Sequence, residues 1–432
     1  MTKKIHSARD LARIVLAKIE AEDSYATLVL DAEVKRAGLA SVDVGLANEI
    51  VLGVLRHRTR LDRALDQAAE SRIKVSRSIR NALRIGAYQL LMLDRVPDHA
   101  VVDDAVTACK RIGGARMGGF VNKLLRSLAA NGEKPFEGSE GEVGRLVMEF
   151  SMPEWIIRRI QEGCSNQTRE ALQAFLEPPG VALRCNQLRT TRAELQEHLE
   201  NEVDGLEIET DSLANQCIRT RRLGNPSSLA AFSKGLFTVQ DIGAQLVSEL
   251  AEAKPGMRIV DLCAGVGGKT SHLAEMSQDA AEILAVDCSE TKLQHLQNSV
   301  DRLGIRSVKT VCLDLLSKPA SLGQNYDVVV LDAPCTGLGV LRRHPEAKWR
   351  MKETSVMEMA SIQRELLTYA ASLVSPGGRL VYSVCSFARE EGIQQIEKLL
   401  ANDKTLSINR SFSTWPHTHR ADGFFAAALD KM

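Results

Sequence analysis

Residues 257–270, MRIVDLCAGVGGKT, contain the pattern that decides the fold of the C-terminal half of the chain. A short apolar run leads into a glycine-rich turn, and we predict a helix that begins near Lys269. Gly265, Gly267 and Gly268 let the backbone of such a turn approach a ligand closely. The stretch therefore predicts a strand, a ligand-binding turn and a helix.

Four more apolar runs rich in Val and Ile follow this unit, with helical stretches between them. Strands that alternate with helices in this way are typical of an α/β domain with a parallel, doubly wound sheet. A last run, GFFAAALD, predicts an antiparallel strand at the edge of that sheet. The four runs are EILAVDC, SVKTVCLD, YDVVVLDA and GRLVYSVCS.

The part of the chain before this sheet has two other patterns. Residues 1–135 carry apolar side chains three and four positions apart, which predicts an all-helical domain. Residues 131–142 hold Gly, Pro, Ser and Glu and predict a linker. Residues 143–235 combine helical stretches with a strand, VALRCNQL, and predict a small linking α/β subdomain. Residues 236–432 then form the sheet domain.

Charge is unevenly distributed although the net charge of the 432 residues is zero. Residues 1–135 contain 23 basic and 16 acidic residues, a net of +7, whereas residues 136–220 contain 8 and 16, a net of −8. The basic block suits a surface that meets phosphates. A solvated helical surface without a partner is the competing interpretation.

The nine cysteines include no C-x-x-C pair, which argues against a zinc knuckle and against a disulfide framework. Free cysteines are typical of the reducing cytosol. The N-terminus interleaves charged and apolar residues, and no run of about 18 apolar residues occurs, so we predict neither a signal peptide nor a membrane span. We expect a cytoplasmic monomer that binds no membrane and no metal.

The glycine-rich turn has two interpretations. Its end, GGKT, resembles a Walker A phosphate loop, but that motif needs a glycine at the position of Cys263. The second interpretation is a nucleoside cofactor bound where the strand order of the sheet reverses. Acidic residues at the ends of four successive predicted strands favour it, although each one alone would also suit a cap or turn. They are Asp261, Asp287, Asp314 and Asp332.

Two further loops carry a cysteine just beyond a predicted strand. They are DAPC, which ends at Cys335, and YSVCS, which contains Cys385. The carboxyl ends of the strands of a doubly wound sheet face the ligand crevice. A free cysteine is more often a buried core residue, but the polar surroundings of these two favour a reactive role.

Four stretches resemble the RNA 5-methylcytosine methyltransferases, in particular the bacterial RsmB (Sun/Fmu) type that modifies 16S ribosomal RNA of the small subunit. They are DLCAGVGGKT, VDCSETKLQHLQNSVDRLG, DAPCTGLGVLRRHPEAKW and GGRLVYSVCS. The helical block is similar to the antitermination factor NusB in LANEIVLGVLRHRTRLDRAL, LRIGAYQLLMLDRVPDHAVVDDAV and GFVNKLLR. The resemblance covers nearly the whole chain.

This resemblance implies a class I methyltransferase with a Rossmann-like sheet, preceded by a NusB-like RNA-binding domain. It implies S-adenosyl-L-methionine as cofactor, ribosomal RNA as partner, and methyl transfer to carbon 5 of a cytosine. By the family motifs, Cys385 is the nucleophile, Cys335 assists product release, and Asp332 orients cytosine and cofactor. The cofactor would be held by Asp332, Asp287, Asp314 and the turn of Cys263, Ala264, Gly265, Val266, Gly267, Gly268 and Lys269.

The chain departs from the family motifs at three places. Gly265-Val266 replaces the usual Ala-Pro, Val384 replaces the Thr before the nucleophile, and Gly392 replaces an Asn.

In the DNA cytosine methyltransferases the Pro-Cys cysteine is the nucleophile, which would exchange the roles of the two cysteines. A transfer RNA substrate would suit the same motifs, and a non-catalytic RNA-binding factor would suit the helical block. We expect RNA contacts from Arg342, Arg343, His344, Lys348 and Trp349.

Overall fold

The computed structural model describes residues 5–22, 24–135, 141–210 and 213–432, which divide into two compact units. The helical unit comprises Met1–Glu177 and Leu341–Met351, and the sheet unit comprises Pro178–Val340 and Lys352–Met432. The linker predicted at 131–142 lies partly outside the described residues. The division into three domains stays a prediction.

The helical unit has the all-helical character that its apolar spacing predicts. The side chains of Leu11, Ile50, Leu83 and Leu125 are fully buried in its core, because residues three and four positions apart share one face of a helix. Its helices are α1 (Ala8–Glu22), α2 (Ala26–Ala37), α3 (Ser41–Arg56), α4 (Arg58–Ala68), α5 (Arg77–Met92), α6 (Asp98–Asn131), α7 (Gly141–Phe150), α8 (Glu154–Cys164) and α9 (Thr168–Leu176).

The longest of these helices, α6, is interrupted by a glycine. Gly114 lies inside it with φ 76° and ψ −176°, a conformation that suits glycine and that bends the helix at the glycine cluster. Neither α6 nor any other helix among the described residues has the length and apolar character needed to cross a bilayer.

The sheet unit begins with a four-stranded antiparallel sheet in the order β2-β3-β1-β4. The helix that follows β1 begins with a capping box, in which Thr191 and Glu194 satisfy each other's backbone N–H groups. The elements are β1 (Val181–Cys185), α10 (Arg192–Glu202), β2 (Glu207–Thr210), β3 (Cys217–Arg221), α11 (Ala230–Ser233) and β4 (Phe237–Val239).

A seven-stranded sheet forms the larger part of this unit, in the order β10-β11-β9-β8-β5-β6-β7. Its elements are α12 (Ile242–Leu250), β5 (Arg258–Leu262), α13 (Gly268–Met276), β6 (Glu282–Asp287), α14 (Glu290–Leu303), β7 (Val308–Cys312), β8 (Tyr326–Asp332), α16 (Thr354–Leu373), β9 (Val374–Val384), α17 (Ile393–Asn402), β10 (Leu406–Thr414), α18 (Pro416–His419) and β11 (Phe424–Lys431). The short helix α15 (Ala347–Arg350) belongs to the helical unit.

The five predicted strands β5 to β9 are parallel, which confirms the doubly wound fold. The chain runs from β5 outward to β7 and then returns to β8 on the other side of β5. The strand order therefore reverses between β5 and β8, and ligands of such sheets bind at this point.

The prediction that GFFAAALD forms an edge strand is wrong. This segment is β11, and it pairs antiparallel with β9 on one side and with β10 on the other. Its residues from Phe424 to Leu429 are all buried, as an interior strand requires. The edge strand is β10, whose side chains are mostly exposed.

A buried ion pair joins the small sheet to the glycine-rich turn. Arg184 of β1 is fully buried, and its guanidinium donates to the Glu275 carboxylate of α13 at 2.7 Å. It also donates to the carbonyl oxygen of Gly268 at 2.7 Å. Arginine suits this role because its planar guanidinium donates in several directions at once. The small sheet therefore holds the first turn of α13 in place.

Replacing this arginine should destabilise the sheet unit. We expect Arg184→Ala to lower the free energy of unfolding by about 3–5 kcal/mol, because it leaves the Glu275 carboxylate buried without its counter-charge. Urea denaturation of the full chain measures the loss. The control Arg222→Ala removes an exposed arginine of the same unit and should stay within about 0.5 kcal/mol of the parent. Equal stability of Arg184→Ala and Arg222→Ala would refute the role of this ion pair.

Candidate active site

The turn between β5 and α13 needs its glycines for shape. Gly267 has φ 84°, and a Cβ at this position would lie 2.5 Å from Cγ of Leu296. Gly265 has φ 59° and open space where its Cβ would be. Cys263 adopts φ 61° although it is not a glycine, and backbone strain of this kind is frequent at ligand-binding turns. The residues predicted to hold the cofactor, from Cys263 to Lys269 with Ala264 and Gly268 among them, therefore lie together in this turn and at the start of α13.

Two carboxylates lie behind this turn at the ends of β5 and β6. Asp261 is fully buried, and one of its oxygens accepts from the Thr270 hydroxyl at 2.6 Å while the other has no hydrogen-bond partner among the described residues. Burial raises the pKa of Asp261 to about 7, although the Thr270 hydrogen bond opposes the shift. Asp287 accepts from the backbone N–H groups of Gly265 and Ser289, each at 2.9 Å.

Two more predicted cofactor positions are open to solvent. Val266, at the tip of the turn, is 58% exposed. Asp314 follows β7, is exposed, and accepts from the backbone N–H of Leu316 at 3.0 Å. It therefore caps a short turn, which was the competing interpretation of each carboxylate. Its contact with a cofactor stays a prediction.

Asp332, at the end of β8, is held from two sides. Nζ of Lys269 donates to one carboxylate oxygen at 2.6 Å, and the Ser383 hydroxyl of β9 donates to the other at 2.7 Å. Burial lowers the pKa of Lys269, but the charge of Asp332, its hydrogen bond and the charge of Asp261 together outweigh this effect, and the net shift is upward. Lys269 therefore stays protonated, and the Asp332 side chain is fixed while remaining 32% exposed.

The two cysteines face each other across the ends of β8 and β9. Sγ of Cys335 and Sγ of Cys385 are 3.3 Å apart, and both residues are half-buried. The hydrogen bond to Cys385, together with burial, raises the pKa of Cys335 well above its usual range. Cys335 therefore keeps its proton at neutral pH and can donate it toward the sulfur of Cys385.

A buried carboxylate connects the two cysteine loops. Glu391 is fully buried and accepts from the backbone N–H of Thr336 at 2.8 Å and from the Thr336 hydroxyl at 2.5 Å. It also accepts from the Ser386 hydroxyl at 2.5 Å and from Nε2 of Gln363 in α16 at 3.1 Å. Burial raises the pKa of Glu391, and these hydrogen bonds act in the opposite direction. One side chain thus fixes the residues that directly follow both cysteines.

The structure brings the predicted site residues in and directly after β5, β6, β8 and β9 together at the carboxyl ends of these strands. It adds four site residues that were not predicted. Two of these could have been predicted from the sequence. Ser383 lies two positions before Cys385 and so on the same face of the strand, and Thr336 directly follows Cys335. Glu391 belongs to the family motif Glu-Glu-Asn, which reads Glu390-Glu391-Gly392 here, but no role was predicted for it, and Gln363 carries no sequence signal of its own. Within the described residues, no group of three or more His, Cys, Asp or Glu side chains could hold a metal ion.

The expected RNA contacts from Arg342 and Lys348 are wrong. These residues are only 7% and 3% exposed, because their segment packs within the helical unit. Nζ of Lys348 donates to the carbonyl oxygen of Arg56 at 2.7 Å, and the indole N–H of Trp349 donates to that of Leu55 at 2.7 Å. The segment therefore covers the C-terminal carbonyl groups of α3. RNA contacts from Arg343, His344 and Trp349 stay predictions.

Comparisons with known proteins identify the family. Residues 249–430 match the family described as 16S rRNA methyltransferase RsmB/F, residues 6–130 match the NusB family, and residues 152–225 match the ferredoxin-like domain of RsmF/B-like methyltransferases. The chain is 33% identical to the probable ribosomal RNA small subunit methyltransferase B of Synechocystis sp., over 98% of this chain and 99% of that protein. The chain belongs to the RsmB/F family of 16S rRNA methyltransferases.

Further relatives agree with this assignment. The probable small subunit methyltransferase B of Bacillus subtilis is 30% identical over 98% of this chain and 99% of that protein. The crystal structure of PH0851 covers 99% of this chain and all of that chain, with a TM-score of 0.83 and 26% identity. NSun6 from Pyrococcus horikoshii, crystallised with SFG, shares the fold, with a TM-score of 0.59, 21% identity, and coverage of 65% of this chain and 98% of that chain.

Glu391 should act as a positioning residue for the cysteine pair. Of the groups that bond its carboxylate, the Thr336 N–H and the Gln363 amide NH₂ can only donate, so the amide NH₂ of Glu391→Gln must face the Thr336 and Ser386 hydroxyls. Both hydroxyls must then turn from donors into acceptors, and the charge that strengthens all four hydrogen bonds is lost. We expect kcat for methyl transfer to fall about 100-fold, because a shift of about 1 Å at reacting groups costs that much. The KM for RNA should stay within about twofold, since Glu391 is buried away from solvent. Steady-state kinetics on an RNA transcript separates the two constants.

The neighbouring Glu390→Gln is the matched control, because it removes the same charge and leaves the hydrogen bonds of Glu391 to Thr336 and Ser386 in place. Its kcat should stay close to that of the parent. A Glu391→Gln enzyme with unchanged kcat, or one whose loss lies wholly in KM, would contradict the positioning role.

Proposed function

We propose that this chain transfers a methyl group from S-adenosyl-L-methionine to carbon 5 of a cytosine in 16S ribosomal RNA. Cys385 is the nucleophile and Cys335 is its partner thiol. The observation that supports this proposal most strongly is the 3.3 Å separation of the two sulfur atoms at the carboxyl ends of adjacent strands, beside the fixed Asp332 carboxylate.

A thiol pair suits cytosine because carbon 5 of the neutral ring is a poor nucleophile. When the Cys385 thiolate adds to carbon 6, the ring becomes an enamine and carbon 5 can attack an electrophilic methyl group. The hard step is thereby divided into easier ones. After methyl transfer, a solvent base takes the proton from carbon 5, the electrons of that bond restore the double bond between carbons 5 and 6, and the Cys385 sulfur leaves as a thiolate.

The neighbouring residues have separate tasks in this scheme. Nitrogen 3 of the ring is protonated during the addition, and the Asp332 carboxylate accepts a hydrogen bond from that N–H, so negative charge does not build up on the ring. Lys269 and Ser383 hold that carboxylate in place. Cys335, which stays protonated, donates a hydrogen bond to the Cys385 sulfur and assists its release as a leaving group. This assignment differs from that of the DNA enzymes, in which the Pro-Cys cysteine attacks.

The residues present suit a nucleoside cofactor at the turn. The open space at Gly265 and the exposed Val266 leave room for close approach of a ligand to the backbone. Asp287 and Asp314 are the candidates for the ribose and adenine, and Asp332 for the methyl-transfer end. S-adenosyl-L-methionine supplies an electrophilic methyl group on a sulfonium.

Ribosomal RNA is the substrate that the relatives favour. Those from Synechocystis and Bacillus subtilis are both named as probable methyltransferases of the small ribosomal subunit RNA, and each aligns with this chain over almost its full length. The basic helical block, with its net charge of +7 over residues 1–135, suits a polyanionic partner.

Covalent trapping tests the cysteine assignment directly. A 16S transcript that carries 5-fluorocytosine cannot lose the group at carbon 5, so the protein–RNA adduct persists. We expect the parent chain and Cys335→Ala to form this adduct in the presence of cofactor, and Cys385→Ala to form none. Denaturing gel electrophoresis of labelled RNA measures the adduct.

Two results would overturn the assignment. An adduct on Cys385→Ala but not on Cys335→Ala would exchange the two roles. A methylated product in which the methyl group is not on carbon 5, as found by mass spectrometry of the nucleosides, would refute the reaction itself.

A further inference from the structure

The helical unit contains an arginine-rich cavity that the proposed reaction does not use. Its volume is about 520 Å³, and all of its lining residues belong to this unit. Four arginines come from α4 and α5, and part of the remaining wall comes from the segment after the Pro-Cys loop. The arginines and the tryptophan of the wall are Arg58, Arg77, Arg80, Arg84, Arg350 and Trp349.

Few acidic side chains line this cavity. Among the described residues that line it, only Glu20 and Glu346 are acidic. The Glu346 carboxylate already accepts from the backbone N–H of Ala26 at 3.0 Å. Glu20 accepts from Arg84 at 3.2 Å. The wall itself thus holds five guanidinium groups and two carboxylates.

Two of the arginines are poorly compensated. Arg77 is exposed and makes no hydrogen bond or ion pair with the described residues. The nearest carboxylate oxygen to the Arg58 guanidinium, on Glu20, is 4.0 Å away. Burial, and then the charge of Arg84, lower the pKa of Arg58. An anion in the cavity would oppose both effects, because a nearby negative charge favours the protonated guanidinium.

Arg80 and Arg84 are already held in position by acidic residues outside the cavity wall. Arg84 donates to both oxygens of Asp62, at 2.9 and 2.7 Å. Arg80 donates to Asp66 at 3.2 Å. An arginine that is already fixed loses less side-chain entropy when it binds a ligand. The cavity therefore combines two fixed guanidiniums with two that lack a close carboxylate among the described residues.

The chemistry of the wall favours RNA over a simple anion. Guanidinium groups bind phosphate oxygens in a bidentate manner. The Trp349 ring lies 5.4 Å from the Arg58 guanidinium, and aromatic rings of this kind stack on unpaired bases. Trp349 and Arg350 follow Cys335 in the sequence by 14 and 15 residues.

We propose that this cavity binds backbone phosphates of the RNA substrate, as an anchoring site additional to the one that receives the target base. The inference rests on the proposed function in one respect, namely that the substrate is RNA. The cavity supplies affinity and not chemistry, so its contribution belongs to RNA binding and to KM.

Salt-dependent binding tests the anchor without any methyl transfer. The full chain and the double variant Arg58→Ala/Arg77→Ala are titrated with a 16S transcript in the absence of cofactor. Each lost phosphate contact should lower the slope of log affinity against log salt by nearly one, so the slope should fall by almost two. The Kd should rise at least tenfold at about 0.1 M salt.

The control Arg158→Ala/Arg169→Ala removes two exposed arginines of the same unit that pair with Glu154 and Glu149. This control should change the slope of log affinity against log salt by less than half as much as Arg58→Ala/Arg77→Ala does. Arg77→Ala alone, which removes an exposed side chain, should keep the parent melting temperature and still lower the slope by almost one.

A slope and Kd that do not change, or that change as much in the control, would overturn the proposal. The outcome is independent of the reaction, because binding is measured without cofactor. Loss of RNA affinity in an enzyme that methylates another atom would leave the anchor standing and refute only the proposed function.

Discussion

The candidate active site depends on one buried carboxylate that holds two loops together. Glu391 accepts hydrogen bonds from residues that directly follow Cys335 and Cys385, and it is fully removed from water. Hydrogen bonds to a charged group are roughly twice as strong as neutral ones, and burial strengthens them further. The two loops leave adjacent strands, and the backbone N–H of Gly339 also donates to the carbonyl oxygen of Cys385 at 2.9 Å. Glu391 adds the side-chain contacts that fix the residue after each cysteine, and so it helps to keep the two sulfur atoms in contact.

Buried polar contacts also fix the residues around the cysteines. Asp332 is fixed by Lys269 and Ser383, and the turn that carries Lys269 is fixed in turn by Arg184 from the small sheet. Each reactive or ligand-facing group is thus held by a buried polar contact from a different element. Burying charged and polar groups costs free energy, because they lose their hydration. Such contacts are retained where the positions of reacting groups have to be correct to within a fraction of an ångström.

The sequence was sufficient to predict the parallel strands, because buried strands form continuous apolar runs. It was insufficient for β10, whose segment LSINRSFST exposes most of its side chains and has no such run. At the site, the cysteines and aspartates were predictable because the ends of parallel strands converge. The contact between Gln363 and Glu391 was not predictable, since α16 brings it from 28 positions away. The burial of Lys348 was also missed, because its charged segment is typical of an exposed loop.

Methylation at carbon 5 requires, in our proposal, that the Cys385 sulfur bonds to a cytosine of 16S ribosomal RNA. Bisulfite sequencing of this RNA, from cells that lack the gene and from the same cells given back the parent chain or Cys385→Ser, tests this requirement most directly. We expect one cytosine to lose its resistance to conversion in the deletion and to regain it only with the parent chain. Unchanged conversion in the deletion, or full rescue by Cys385→Ser, would contradict the proposal.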